Sequence, residues 1–181
     1  MQKNRKFYYE GGEEALTHEL TKPFRTLGFR AGEVMNNGHC DILIELDNKD
    51  WQWLGEAKKH KDYAYLHKGM NQLLKRYSDG DENHDHGGMV IYISNVKGKD
   101  VIDDWKHYLQ HELPCFQQMT PSKKRRDYSF NSEHAHDSGR TFHVKHIGIW
   151  LHHKPDDEIN IKPKAERIEK QKAPVAVSRV S

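Results

Sequence analysis

Three residues, Asp41, Glu56 and Lys58, have the types and spacing that can do chemistry. Asp41 lies in Gly38-His39-Cys40-Asp41-Ile42-Leu43-Ile44, and the other two lie in Trp53-Leu54-Gly55-Glu56-Ala57-Lys58-Lys59. Both stretches read as short strands, since apolar residues crowd each run and Asn, Asp and Gly bracket them. Strand alternation sends Glu56 and Lys58 to one face and Ala57 to the other. With Asp41 beside them, two carboxylates and an ammonium share a small volume. Ionised carboxylates that close repel each other unless a cation lies between them, and hard carboxylate oxygens suit Mg²⁺ or Mn²⁺. The pattern predicts a metal site with a lysine leaning over it.

The flanking chain supplies elements to position that site. Residues 1–10 read as an irregular or short extended arm. Gly11-Gly12 opens a helix to about Leu27, with Leu16, Leu20, Phe24 and Leu27 at helical spacing, Gly28 as the stop, and Pro23 expected to kink it or split off its last turn. Glu13 shares the apolar face, and Glu14 is turned about 100° away. Either glutamate also suits the positive end of a helix. Phe29–Met35 reads as a strand, with Asn36-Asn37-Gly38 turning it into the Asp41 strand. Asp47-Asn48-Lys49-Asp50 is the next turn, into Trp51–Lys59. A second helix, about Ala64 to Tyr77, carries Leu66, Met70, Leu73 and Tyr77 on one stripe, with Gln72 beside it. Met89–Ile93 is a continuous apolar run, as in a strand buried on both faces. A third helix spans about Asp100 to His111 and is closed by Pro114. Residues 117–139 are polar and read as a long loop, and Phe142–Leu151 as a last strand.

In order and type, the stretch from about Gly11 to Ser94 resembles the PD-(D/E)xK nucleases, whose fold is that of restriction endonucleases and Holliday-junction resolvases. The resemblance rests on a Glu-bearing helix, the Asp41 strand, the Glu56-Ala57-Lys58 strand and a helix with Gln72-Leu73-Leu74-Lys75-Arg76-Tyr77. Cys40 stands where the family motif has proline. The resemblance implies an α/β protein with a restriction endonuclease-like αβββαβ core, its mixed central sheet flanked by helices. It further implies phosphodiester hydrolysis with Mg²⁺ or Mn²⁺, held by Asp41, Glu56, the Ala57 carbonyl and Glu13 directly or through water. Lys58 would orient water and offset negative charge, and Gln72 would position phosphate or water. Lys59, Lys61, Lys68, Lys75 and Arg76 would form a basic rim. DNA is expected over RNA, in a restriction or anti-phage defence role, with a homodimer and a partner subunit of a defence system as expected partners.

Composition bounds the rest. At 181 residues with two cysteines and a net charge of +2, the chain is expected to form one domain over residues 11–153 in a reducing cytoplasm. Mean hydropathy is −1.01 and no apolar run approaches the ~20 residues of a membrane span. The net charge is too small to announce nucleic acid, so binding must rest on local clusters such as Lys123-Lys124-Arg125-Arg126. Residues 154–181 read as a basic, disordered tail. Two rivals remain: a nucleic-acid-binding subunit that does not cut, and a metal protein built on the fourteen histidines, with His84-Asp85-His86 as one ligand source.

Overall fold

A computed structural model describes residues 1, 4–35, 39–45, 50–77, 82–125 and 127–153. The turn residues 36–38 and 47–49, Arg126 and the tail 154–181 lie outside them, as do the side chains of Arg76 and Tyr77. The chain runs α1 (Arg5–Tyr8), α2 (Glu13–Thr26), β1 (Arg30–Met35), β2 (His39–Glu45), β3 (Gln52–Lys59) and α3 (Tyr63–Gln72). It continues through a π-helical turn (Leu73–Tyr77), β4 (His86–Ile93), α4 (Gly98–Glu112), β5 (Phe116–Pro121), β6 (Ser129–Ala135) and β7 (Thr141–Trp150).

The strands form one seven-stranded mixed sheet in the order β1-β2-β3-β4-β7-β6-β5. β1, β2 and β3 are antiparallel neighbours, and β3, β4 and β7 are parallel. At its centre β4 is buried from Gly87 to Ile93, which is why its sequence is continuously apolar rather than alternating. Helices α3 and α4 cover one face, burying Leu66, Met70, Trp105 and Leu109 against Leu54, Met89, Ile91 and Val144. On the other face α2 packs Leu16 against Ile42, Ala57, Val90 and Tyr92. Among the described residues no helix is long and apolar enough to cross a membrane.

Local chemistry sets the helix ends that matter for the site. Extended Gly12 leads into α2, with Glu13 and Glu14 in its first turn. Gly28 ends it with φ +86°, a left-handed conformation that costs glycine little. Asp62 caps α3 by accepting the Tyr65 backbone N–H at 2.7 Å.

Four expectations are corrected. The N-terminal arm contains a helical turn, α1. Helix α2 keeps its last turn past Pro23 rather than splitting it off, because that residue is exposed and the carbonyl it leaves unbonded can meet water. The second helix is α-helical only to Gln72. The largest correction is at 117–139, where a hairpin, β5–β6, extends the sheet. Phe130, Ser132 and His134 alternate inward along β6, but two of those three are polar, so the period-two signal resembles a loop.

Candidate active site

The antiparallel pairing of β2 with β3 stops at Ile42 and Gly55, while β3 continues beside β4 to Lys59. Beyond that point the β3 edge facing β2 has N–H groups that need other acceptors. Two carboxylates supply them. Asp41 Oδ2 accepts the Ala57 N–H at 2.9 Å, and Glu13 Oε1 accepts the Lys59 N–H at 3.0 Å. In a strand the N–H and C=O of one residue point to the same side, so the Ala57 carbonyl faces this edge too. The structure thus brings Glu13, Asp41 and the Ala57 main chain to one place. Glu13, not Glu14, is the helix carboxylate that reaches the strand.

Glu56 and Lys58 share the face under α3, as strand alternation requires. Helix α3 approaches them through Gly69, where a Cβ would stand 3.1 Å from Lys58 Cγ and 3.2 Å from Glu56 Cγ. Glu56 is 1% exposed. Its carboxylate is ion-paired with Lys58, and neither oxygen has any other hydrogen-bond partner. Burial, and then the charge of Asp41, push the Glu56 carboxyl up to about 7 against the opposing pull of Lys58. Lys58 Nζ lies 3.7 Å from Asp41 Oδ2, bridging the two carboxylates. Burial works against the Lys58 charge, but Glu56, Asp41 and Glu13 outweigh it and raise the ammonium above its ordinary range.

Tyr65 is a residue that sequence reasoning missed. Its hydroxyl donates to Glu13, 2.9 Å from Oε1 and 3.0 Å from Oε2. Its ring centroid lies 5.8 Å from Lys58 Nζ. Tyr65 thereby ties α3 to α2 across the end of β3. The available signal was its place seven residues before Gln72, hence on the same helical face. Gln72 itself is half-buried at the last residue of α3, two turns or about 10.5 Å farther along. Beside the site opens a cavity of ≈ 300 Å³ lined by Glu13, Glu14, Thr17, Glu33 and Asp41. Cys40, at the position of the motif proline, is fully buried and its thiol is pushed up to about 11 by burial, so it packs rather than reacts.

The basic residues divide. Lys61, ahead of the Asp62 cap, Lys68 on α3 and Lys75 in the π-helical turn are all exposed. Lys59 points away from Lys58, and its ammonium donates to the carbonyls of Tyr9 at 3.1 Å and Gly11 at 3.2 Å, holding the chain ahead of α2. Lys123, Lys124 and Arg125 are exposed in the β5–β6 connection. β6 stands three strands from β3, roughly 14 Å across the sheet. The histidine-rich segment is likewise separate from the site: His84 lies 3.3 Å from Asp50, and His86 stacks on His143.

Among the described residues no three of His, Cys, Asp and Glu already stand as a ligand cluster. Lys58 lies between Asp41 and Glu56, where its ammonium offsets their charge. The donor set nonetheless fits a hard divalent ion: two carboxylates and a main-chain carbonyl, one carboxylate being buried with no hydrogen bond besides its lysine. No family model, no curated protein and no solved structure matches this chain.

Proposed function

We propose that the chain is a metal-dependent nuclease of the PD-(D/E)xK type, with Asp41, Glu56 and the Ala57 carbonyl holding Mg²⁺ or Mn²⁺. The observation that carries this reading is the Glu56 carboxylate. A buried carboxylate whose one partner is a lysine keeps lone pairs unmet at a cost, and a divalent ion would meet them. The order α2-β1-β2-β3-α3-β4 and the parting of β2 from β3 at Asp41 support a restriction endonuclease-like core.

Bound there, the ion would supply a Lewis acid for a phosphate oxygen and a water of lowered pKa. The chain's own residues do the rest. Asp41 and Glu56 set the ion's position from two strands of one rigid sheet. Lys58 offsets charge that builds on the phosphate. Glu13, already oriented by the Lys59 N–H and the Tyr65 hydroxyl, acts through water. Gln72 extends the same face toward the substrate. Lys61, Lys68 and Lys75 offer charges for a phosphate backbone leading to the site. DNA is the expected substrate, in a restriction or defence setting, as a homodimer or with a partner subunit.

The test is cleavage of supercoiled plasmid, linear duplex, single-stranded DNA and RNA with Mg²⁺ or Mn²⁺, comparing wild type with Lys58→Ala. Cutting that the variant loses by about 10²–10³-fold is expected. Equal cutting by both proteins would overturn the assignment of the site. A wild type that binds nucleic acid but never cuts would favour the non-catalytic subunit.

A further inference from the structure

Between α3 and α4 lies a second cavity, ≈ 250 Å³, lined by Tyr63, Asp104, His107, Tyr108, His111 and Glu112. Its walls are rings held in place from behind. Tyr63 donates to Asp104 at 3.1 Å and packs against Tyr108 with centroids 6.0 Å apart. Tyr108 is stacked on the buried Trp105, and its hydroxyl lies 3.2 Å from His67 Nδ1. His107 and His111, one helical turn apart, are stacked at 4.1 Å and exposed.

The cavity and the proposed active site lie on opposite sides of the first turn of α3: Tyr63 faces α4, and Tyr65, about 200° round the helix, faces Glu13 and Lys58. His60 follows Lys58 by two residues at the end of β3, about 7 Å along the strand, and its ring lies 5.2 Å from Tyr63. Its Nε2 is shielded and has no hydrogen-bond partner. On the active-site side Lys61 stands over the Tyr65 ring at 4.5 Å, and Lys68 is exposed on α3. Rings next to ammonium groups are the composition of a surface that stacks bases while tracking phosphates. The carboxylates select between the two. Asp104 and Glu112 repel a phosphate but accept hydrogen bonds from the amino groups and ring N–H groups of a base.

We propose that this cavity binds an unpaired nucleobase, so that the substrate presented to Asp41, Glu56 and Lys58 is single-stranded or locally unpaired. A paired base keeps its faces stacked on its neighbours and cannot enter. The phosphate half of this inference rests on the nuclease reading, but base binding does not.

The experiment measures binding by fluorescence anisotropy, in EDTA so that nothing is cut, for a labelled single-stranded 20-mer, its duplex and an abasic oligomer with the same number of phosphates. Wild type is expected to prefer the base-bearing single strand. Tyr63→Leu and the double variant His107→Ala/His111→Ala, each checked for an unchanged thermal melt, are expected to lose about tenfold in affinity for it, down to the abasic level. Duplex affinity should stay the same. The double histidine variant alters only exposed side chains, so it tests the cavity even where Tyr63→Leu fails to fold. Equal wild-type affinity for base-bearing and abasic strands, or no binding to either, would overturn the proposal. Base-dependent binding by a protein that never cuts would sink the nuclease reading alone, and cutting without base-dependent binding would sink this one alone.

Discussion

Two groups of buried polar residues lie in the same sheet and are built in opposite ways. Under α4, Trp105 Nε1 donates to His146 Nδ1 at 3.1 Å, leaving the Nε2–H of His146 to donate to Ser132 Oγ at 2.7 Å. The Ser132 hydroxyl then donates to His134 Nε2 at 2.7 Å, and His134 Nδ1 faces Cys115 Sγ at 3.9 Å. The hydrogen-bond pattern assigns both rings as neutral tautomers. Every side-chain polar atom from Trp105 through His146 and Ser132 to His134 has a partner, as a structural network requires. Under α3, the Glu56 carboxylate is equally buried and has only Lys58. The first cluster is complete within the fold; the second leaves Glu56 with Lys58 as its one partner. That contrast, rather than burial or charge alone, is what makes Glu56 the candidate.

The contrast can be broken at either end. The largest expected effect is on chemistry: Lys58→Ala should lower cleavage by about 10²–10³-fold, and because it also strips the buried Glu56 of its partner it should lower the melting temperature, so cleavage is compared where both proteins are folded. Next is stability at the other cluster. Ser132→Ala leaves two buried imidazole nitrogens unpartnered and should cost about 2–3 kcal/mol in urea denaturation, with cleavage at 20–25 °C unaffected. An active-site role for the histidines would instead appear as lost cutting in a stably folded Ser132→Ala protein.

The pH dependence of folding sharpens the comparison, because the two clusters have opposite signs. Glu56 is raised to about 7, so the unfolded chain releases that proton first. Metal-free wild type should therefore lose stability relative to Glu56→Gln as pH rises from about 4.5 to 7, by up to roughly 3 kcal/mol. Desolvation lowers His134 to about 4 and His146 well below its ordinary range. The unfolded chain then takes up protons that the folded chain refuses, and these residues destabilise the fold as pH falls below about 6.5. His134→Gln should flatten that acid limb in urea titrations. Parallel wild-type and variant curves would refute either assignment. The smallest effect belongs to Tyr65→Phe, which removes one donor from Glu13 and should raise the Mg²⁺ or Mn²⁺ needed for half-maximal cleavage a few-fold, about 0.5–1.5 kcal/mol.

Much of this was legible in the chain. The spacing of Leu16 and Leu20 placed Glu13 on the inner face of α2, and strand alternation placed Glu56 beside Lys58. The apolar run in β4 marked the centre of the sheet. These are short-range patterns, readable because each element buries one face. The β5–β6 hairpin was not legible, because its inward residues include Ser132 and His134, whose burial depends on partners from α4 and β7. Tyr65 was hidden for a related reason: a tyrosine near the start of a helix is ordinary until another helix brings Glu13 to its hydroxyl.

By itself, then, the sequence determined which residue types could form the site and on which face of its element each would stand, since backbone periodicity imposes both. Only the tertiary structure decided that β2 parts from β3 at Asp41, that Glu13 rather than Glu14 caps the freed edge, and that Lys59 turns away to hold the α1–α2 connection. It also set Glu56 in a place with no partner but Lys58. Those outcomes depend on contacts between elements far apart in the chain, where desolvation and unmet hydrogen bonds take effect only once the sheet and its helices have closed around them.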